Sequence, residues 1–291
     1  GKKRLLGIPT VLDRLIQQAI AQVLQGQWEP HFHPHSYGFR PQRSAHHAVR
    51  VVQANIREGY GWVVDMDLEA FFDRVNHDRL QARLKLRCHD SDLLRLINRY
   101  LKAGVQLGDA VQATTMGVPQ GGPLSPLLAN IVLDELDWEL ERRGHRFARY
   151  ADDCNIQVKS QRAGMRVMAS IARFISETLR LTVNAQKSAV DRPYKRKFLG
   201  FTVSRKDARL KVADKAIVRL QDRVRELTRR TRGHRLDAAI PELRETLLGW
   251  KAYFGIAEVL SPLRDIDKWI RRKLRCYQWK QWGRAGYREL R

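Results

Sequence analysis

The sequence has few of the features that mark secreted, zinc-ribbon or membrane proteins. Its three cysteines, Cys88, Cys154 and Cys276, lie far apart and fit no CxxC spacing, so neither a disulfide framework nor a zinc ribbon is predicted. No apolar run approaches the roughly 20 residues of a membrane-spanning helix, and no signal peptide is visible. We therefore expect no membrane partner and a reducing, cytoplasmic location. The chain opens on Gly-Lys-Lys-Arg without an initiator Met, and we expect it to be a fragment or a processed product.

Acidic residues are scarce relative to basic ones. The 291 residues include 54 Lys and Arg against 31 Asp and Glu, a formal charge of +23. Such an excess is typical of proteins that bind nucleic acid; a solubilising surface is the alternative, although near-balanced charge would serve solubility equally well. Residues 192–291 alone carry +17 of the total. We expect the C-terminal third to provide most of the surface that meets a polyanion.

Hydrophobic periodicity predicts an α+β region followed by an all-helical one. Apolar runs of strand character occur at 62–68 and 198–203, and a hairpin is predicted over 146–159. The first part also contains six stretches with helical spacing, at 11–24, 44–57, 76–87, 90–103, 127–143 and 161–181. After residue 213 the pattern is entirely helical, and the composition changes near 205–213, where we place a domain boundary.

Two adjacent acids occupy the tip of the predicted hairpin. Residues 150–153 read Tyr-Ala-Asp-Asp and lie between two short apolar runs. Neighbouring carboxylates repel each other, so a fold tolerates them most easily where a cation neutralises them, and Mg²⁺ prefers oxygen ligands. A solvated turn is the alternative, because Asp is common in turns for conformational reasons alone.

A third acid, Asp67, closes the strand predicted before it. Alternation along the strand places Asp65 and Asp67 on the same face. An acid at a strand end beside an Asp-Asp hairpin is the arrangement that a two-metal site requires, in which two cations activate a hydroxyl and stabilise a leaving group. A surface position is the alternative for each acid taken alone.

Several blocks occur in an order that resembles a known family. Residues 67–73, 117–126 and 150–153 together resemble the reverse transcriptase palm, specifically the group II intron maturase branch. Residues 36–41 (Ser-Tyr-Gly-Phe-Arg-Pro) and 197–201 (Lys-Phe-Leu-Gly-Phe) look like further blocks of that family. The resemblance implies an RNA-directed DNA polymerase, a nucleotidyltransferase that extends a primer 3′-hydroxyl with dNTPs on an RNA template.

The resemblance also implies the cofactor, the partners and the location. Asp67, Asp152 and Asp153 would be the catalytic carboxylates and would hold two Mg²⁺ ions, for which Mn²⁺ can substitute. The expected partners are template RNA, a DNA primer and intron RNA, the last for splicing and retrohoming. The expected location is the bacterial cytoplasm.

Four further residues match substrate-binding positions of the family. Phe72 matches a steric gate against a ribose 2′-hydroxyl, and Gln120 matches a glutamine beside the incoming nucleotide. Arg4 matches a finger arginine that grips the triphosphate, and Lys187 resembles the lysine block after the hairpin. The alternatives are a core position for Phe72, a loop-backbone contact for Gln120, and ordinary surface charges for Arg4 and Lys187.

The resemblance gives a four-part layout: partial fingers (1–60), a palm (61–208), the first thumb helix (209–235), and the remaining thumb with the maturase region (236–291). Basic residues of the last two parts are the predicted nucleic-acid contacts: Arg219, Arg223, Arg229, Arg230, Arg271, Arg272 and Lys273. Of the aromatic residues there, Trp250, Phe254 and Trp269 are expected in the core, and Tyr277, Trp279 and Trp282 on the surface.

The chain departs from the family in two places. The lysine expected about six residues before Arg4 is absent from this sequence, and so is a His/Asn-rich nuclease block with paired cysteines. Two other functions stay open: a maturase that binds intron RNA with an idle polymerase site, and a host-adapted reverse transcriptase linked to CRISPR or to repair.

Overall fold

The computed structural model describes residues 7–107, 110–112, 115–119, 121–229 and 235–289. The chain divides into two compact units, Gly1–Arg192 and Pro193–Arg291. No helix in the described ranges is long and apolar enough to cross a membrane.

The secondary structure is mixed in the first unit and mainly helical in the second. The strands are β1 (Trp62–Met66), β2 (Val105–Leu107), β3 (Ala110–Gln112), β4 (Arg146–Tyr150), β5 (Asp153–Val158), β6 (Ala189–Asp191), β7 (Phe201–Val203) and β8 (Leu210–Val212). The helices are α1 (Val11–Trp28), α2 (Ala45–Arg57), α3 (Phe71–Arg74), α4 (His77–Lys85), α5 (Ser91–Lys102), α6 (Ser125–Arg142), α7 (Gln161–Glu177), α8 (Asp214–Leu227), α9 (Leu236–Phe254) and α10 (Ser261–Glu289).

A four-stranded antiparallel sheet forms the centre of the first unit, in the order β4-β5-β1-β6. Strand β1 pairs with β5, ending at Met66 opposite Cys154, and β6 covers its other edge. Both edges of β1 are therefore paired, and its residues Val63, Val64 and Met66 are buried. The sheet therefore delivers the residue after Met66 to the end at which β4 turns into β5.

Helices pack against this sheet and complete one continuous apolar core. Helix α7 approaches closely because of Gly164, where an added Cβ would lie 2.5 Å from Val190 Cγ1 and 3.3 Å from Val158 Cγ2. Helix α6 is the most buried helix described, yet its interior side carries Asn130, Asp134 and Asp137. Buried polar groups on an apolar helix require hydrogen-bonding partners.

The second unit contains the β7–β8 hairpin and three helices. Leu220, Val224 and Leu227 of α8 pack with residues of α9 and α10 in a small core of their own. Trp250 and Trp269 lie partly buried against that core. Apolar residues one helical turn apart thus face inwards, and the basic residues between them are left at the surface.

The fold class and most elements predicted from the sequence are confirmed, including the 146–159 hairpin. The predicted strand 198–203 is wrong in its first half, because Leu199 and Gly200 have φ of 51° and 81° and form a two-residue turn between Phe198 and Phe201. Tyr277 was expected at the surface and is buried, whereas Trp279 and Trp282 are exposed as expected.

Candidate functional site

The two adjacent acids lie at a two-residue hairpin turn. Tyr150 of β4 pairs with Asp153 of β5, which leaves Ala151 and Asp152 as the turn. Ala151 has φ of +56°, a left-handed conformation that is uncommon for a residue with a side chain. Asp152 is half-buried and Asp153 is exposed. The predicted placement of the acid pair at a hairpin tip is therefore confirmed.

Asp67 lies at the same end of the sheet. It follows Met66, whose partner Cys154 directly follows Asp153, so Asp67 and Asp153 are each one position beyond the last pair of the β1–β5 ladder. The backbone of Asp67 is fixed by Ser188, whose Oγ accepts from its N–H at 3.0 Å, and by Asn184, whose N–H donates to its carbonyl at 2.8 Å.

Lys187 lies directly at the Asp67 carboxylate. Its Nζ is 3.2 Å from Oδ1 and 3.3 Å from Oδ2, and both side chains are accessible to solvent. An exposed ion pair of this kind contributes little to stability. Because the pair is weak, Lys187 could leave Asp67 and bind another anion, such as a phosphate.

The donor chemistry of the three acids suits a hard divalent cation. Carboxylate oxygens are the ligands that Mg²⁺ prefers, and the Lys187 ammonium shows that a cation already sits at Asp67. In the described ranges, however, no group of three His, Cys, Asp or Glu residues is placed to hold an ion. Lys187 Nζ lies within hydrogen-bonding distance of both Asp67 oxygens, so an ion that binds those oxygens would compete with it.

Phe72 lies five residues beyond Asp67 and is tied to the Gly-Pro-rich loop. The Val118 N–H donates to its carbonyl at 2.6 Å, and an added Cβ on Gly117 would lie 3.0 Å from that same oxygen. The Phe72 ring is partly buried against the core and packs edge-on against Phe71 at 5.2 Å. The loop is therefore held to the backbone of Phe72, while the ring packs against the core.

Three predicted residues, Arg4, Gln120 and Arg230, lie outside the residues that the structure describes. Of the other predicted nucleic-acid contacts, two are already paired. Arg223 bonds Glu226 at 2.7 Å and Glu242 at 3.2 Å. Arg271 bonds Asp267 at 3.0 Å.

A basic cavity of about 460 Å³ collects three of the predicted contacts in the second unit. Arg229, Arg272 and Lys273 line it. The other lining residues are Arg225, Thr228, Trp269 and Cys276. Both Arg225 and Lys273 contact the Trp269 ring, at 5.4 and 5.7 Å from its centroid. Cations beside an indole ring form a surface suited to phosphates and unpaired bases.

Family comparison agrees with this geometry. Residues 1–203 match the reverse transcriptase (RNA-dependent DNA polymerase) family. The chain belongs to the reverse transcriptase family. Members of this family generally use divalent metal ions. Residues 217–291 match the group II intron maturase-specific domain.

Relatives of this chain include bacterial proteins. Protein YkfC of Escherichia coli is 34% identical over 229 residues, which is 65% of this chain and 60% of YkfC. The group II intron-encoded protein LtrA of Lactococcus lactis is 44% identical over 136 residues, 47% of this chain and 22% of LtrA. The chain thus spans less than two thirds of the length of either relative.

Solved structures show the same fold. Telomerase from Candida albicans superposes with a TM-score of 0.54 at 15% identity, covering 90% of this chain and 52% of the telomerase. Telomerase from Candida tropicalis gives 0.51 at 12% identity, covering 84% of this chain and 46% of that one. Identities this low support the shared reverse transcriptase fold only.

Two residues near the acids were not singled out from the sequence. Ser188 anchors the backbone of Asp67, and Arg149 is fully buried behind the hairpin turn, bonded to Asp137. Arg149 does not stand out by type, since the chain holds 54 basic residues. The sequence does hold a sign of a buried cation on helix α6, where Asn130, Asp134 and Asp137 interrupt an apolar face.

Proposed function

We propose that this chain is an RNA-directed DNA polymerase that extends a primer 3′-hydroxyl with dNTPs on an RNA template. The observation that carries the proposal is the placement of Asp67 at the sheet end beside the Asp152–Asp153 turn, in a chain of the reverse transcriptase family. Phosphoryl transfer depends mostly on positioning and charge neutralisation. The hairpin turn and the backbone bonds that hold Asp67 would provide that positioning.

Asp67, Asp152 and Asp153 would hold two Mg²⁺ ions, with Asp67 and Asp152 as the more direct ligands; Mn²⁺ can substitute. When bound, the two ions would activate the 3′-hydroxyl and stabilise the pyrophosphate. Lys187 would release Asp67 and bind a phosphate of the incoming nucleotide, with Arg4 and Gln120 also contacting that nucleotide. Phe72 would exclude a ribose 2′-hydroxyl and make dNTPs the preferred substrates.

The second unit would hold template RNA with its DNA primer, and intron RNA. Arg229, Arg272 and Lys273 converge on one cavity, and Arg219 is exposed on α8. Phosphate contacts of this kind position a nucleic acid without reading its sequence. Together with the maturase-domain match, this supports a role in splicing and retrohoming of a group II intron, in the bacterial cytoplasm.

Primer extension on poly(rA)/oligo(dT) with Mg²⁺ tests the polymerase. Asp152→Ala with Asp153→Ala is expected to abolish extension and to retain RNA binding. The matched control is Asp78→Ala with Asp92→Ala. These two exposed acids lie in the first turns of α4 and α5, and the control should retain extension. Extension by the hairpin double variant would refute the assignment of the site.

A second candidate function is RNA binding for splicing with the polymerase site idle. It is favoured by the contact of Lys187 with both oxygens of Asp67. A splicing assay of the hairpin double variant separates the two functions. If the wild-type chain assists splicing but does not extend primers, and the double variant splices equally well, the idle-site function holds.

A further inference from the structure

A charged group lies fully buried behind the turn that carries Asp152. The side chains of Arg149 and Asp137 are both 0% exposed. Arg149 belongs to β4 and directly precedes Tyr150, whereas Asp137 belongs to α6. Burying a guanidinium is unfavourable unless its charge is paired and its N–H groups are all bonded. An arginine in this position therefore implies that its bonds serve to hold specific atoms.

All five N–H groups of the Arg149 guanidinium have an acceptor. Two of them form a bidentate pair with Asp137, Nε to Oδ1 at 2.7 Å and Nη2 to Oδ2 at 2.6 Å. The others donate to Ser36 Oγ at 2.7 Å, to Asn130 Oδ1 at 3.1 Å and to the Ala151 carbonyl at 2.8 Å. The last of these acceptors belongs to the turn itself.

The same group of residues holds the segment beneath the turn. Asn130 connects Arg149 to this segment, because its Oδ1 accepts from Arg149 and its Nδ2 donates to the Gly38 carbonyl at 2.8 Å. Gly38 lies so close to the turn that an added Cβ would be 2.3 Å from Ala151 N. The backbone of Arg149 also exchanges bonds with this segment, accepting from Tyr37 N and donating to His35 O, both at 2.9 Å.

We infer that Arg149, held by Asp137 and Asn130, is a positioning residue that fixes the left-handed turn and thereby sets where Asp152 can meet a divalent cation. The inference rests on the proposed polymerase site. Arg149 itself does not reach the reacting groups. Its effect passes through the Ala151 carbonyl, one residue before the carboxylate, in the way that outer groups orient the direct ligands of a metal.

Two substitutions weaken this assembly by different amounts. Arg149→Lys keeps the charge but cannot make five bonds in one plane. Asn130→Ala leaves the Arg149–Asp137 pair intact and removes the link between Arg149 and Gly38. The control is Leu101→Ala, which opens a cavity in the core at α5, a helix that contributes no residue to the turn or to the bonds of Arg149.

The first measurement is made on metal-free protein by hydrogen exchange of a peptide covering residues 146–158. We expect faster exchange at the turn in both variants and wild-type exchange there in Leu101→Ala. The second is Mn²⁺ affinity by electron paramagnetic resonance. Affinity should fall roughly tenfold or more in Arg149→Lys, the change that loss of a group orienting a metal ligand typically produces, and less in Asn130→Ala.

The third measurement is the Mg²⁺ concentration that half-saturates primer extension, which should rise in the same order while RNA affinity stays unchanged. Thermal unfolding identifies any variant that does not fold, and Asn130→Ala keeps the test usable if Arg149→Lys does not. Folded variants with wild-type turn exchange and wild-type Mn²⁺ affinity would overturn the inference, as would equal changes in Leu101→Ala. A wild-type chain that binds Mn²⁺ but does not extend primers would contradict the proposed function and leave the positioning role standing.

Discussion

Replacing Gly38 by alanine should displace the turn that carries Asp152. The added Cβ would lie 2.3 Å from Ala151 N and 3.1 Å from the carbonyl carbon of Tyr150. Real Cβ atoms do not approach other heavy atoms closer than 3.0 Å, so the two backbones must separate by at least 0.7 Å. Both obstructing atoms belong to the main chain, and no side chain can rotate to make room.

The expected effect on catalysis follows from the size of that shift. A misplacement of about 1 Å at a catalytic group can lower a rate about 10²-fold. Because the segment around Gly38 can take up part of the movement, we expect single-turnover extension by Gly38→Ala to slow between roughly tenfold and a hundredfold. Overpacking at a buried contact should also lower the free energy of unfolding by roughly 1–3 kcal/mol.

The assay is single-turnover primer extension at saturating Mg²⁺, run well below the unfolding temperature of each variant. The control is Gly26→Ala in α1, where an added Cβ meets no atom within 4 Å. It should keep the wild-type rate and gain about 0.5–1 kcal/mol of stability from reduced chain entropy. A wild-type rate and unfolding temperature in Gly38→Ala would refute the reasoning.

Three further predictions concern other parts of the chain. Desolvation raises the pKa of Asp134 from 3.8 to about 6. A protein with such an acid loses folding stability as the pH rises and the acid ionises. The free energy of unfolding of the wild type should therefore fall by about 2–3 kcal/mol relative to that of Asp134→Asn between roughly pH 4 and pH 8. Urea unfolding at both pH values checks this, and a constant difference would contradict it. Phe72→Val should increase use of rNTPs relative to dNTPs in primer extension, and an unchanged ratio would remove Phe72 as the gate. The affinity for RNA falls as salt rises, and Arg272→Gln should reduce the magnitude of the slope of log affinity against log salt by about 0.7–0.9. Arg271 is paired with Asp267, so Arg271→Gln should change that slope less. Equal slopes in the two variants would argue against the cavity as the binding surface.

The acids could be predicted from the sequence because their positions are local features. Asp152 and Asp153 occupy a turn between two apolar runs, and Asp67 ends an apolar strand, so each position follows from a short pattern of residues. The pairing that brings them together joins β1 to β5, and one sequence holds no direct sign of that register. The expectation that the three acids lie together came from the order of the family blocks, and the local pattern alone did not indicate it.

The supports of the turn depend on contacts across the chain and were not predicted. Arg149 meets Ser36 and Asp137, which lie 113 and 12 residues away along the sequence. In a chain with 54 basic residues, a single buried arginine cannot be told from a surface one by its type. The polar interruptions on α6, at Asn130 and Asp137, indicate a buried cation, but they do not say which one.

The second unit shows the same limit. Helical periodicity correctly assigned its helices, and Trp269, predicted in the core, is only partly buried against it. The spacing of three or four residues could indicate that Glu226 pairs with Arg223 and Asp267 with Arg271, but the pattern could not show which arginines meet on one surface. Arg223 and Arg271 are paired with acids, whereas Arg229 and Arg272 line the cavity. The contact of Arg223 with Glu242 on another helix and the convergence of Arg229 and Arg272 on one cavity depend on how the helices pack.

The three-residue strand β6 determines where the first unit can be cut. Ala189–Asp191 covers one edge of β1, the strand that delivers Asp67. A fragment ending before residue 189 would leave that edge open, with unpaired N–H and C=O groups beside buried valines, and exposed edges of this kind recruit other chains and aggregate. A recombinant fragment meant to retain the acids should therefore extend at least through Asp191, well beyond the hairpin itself.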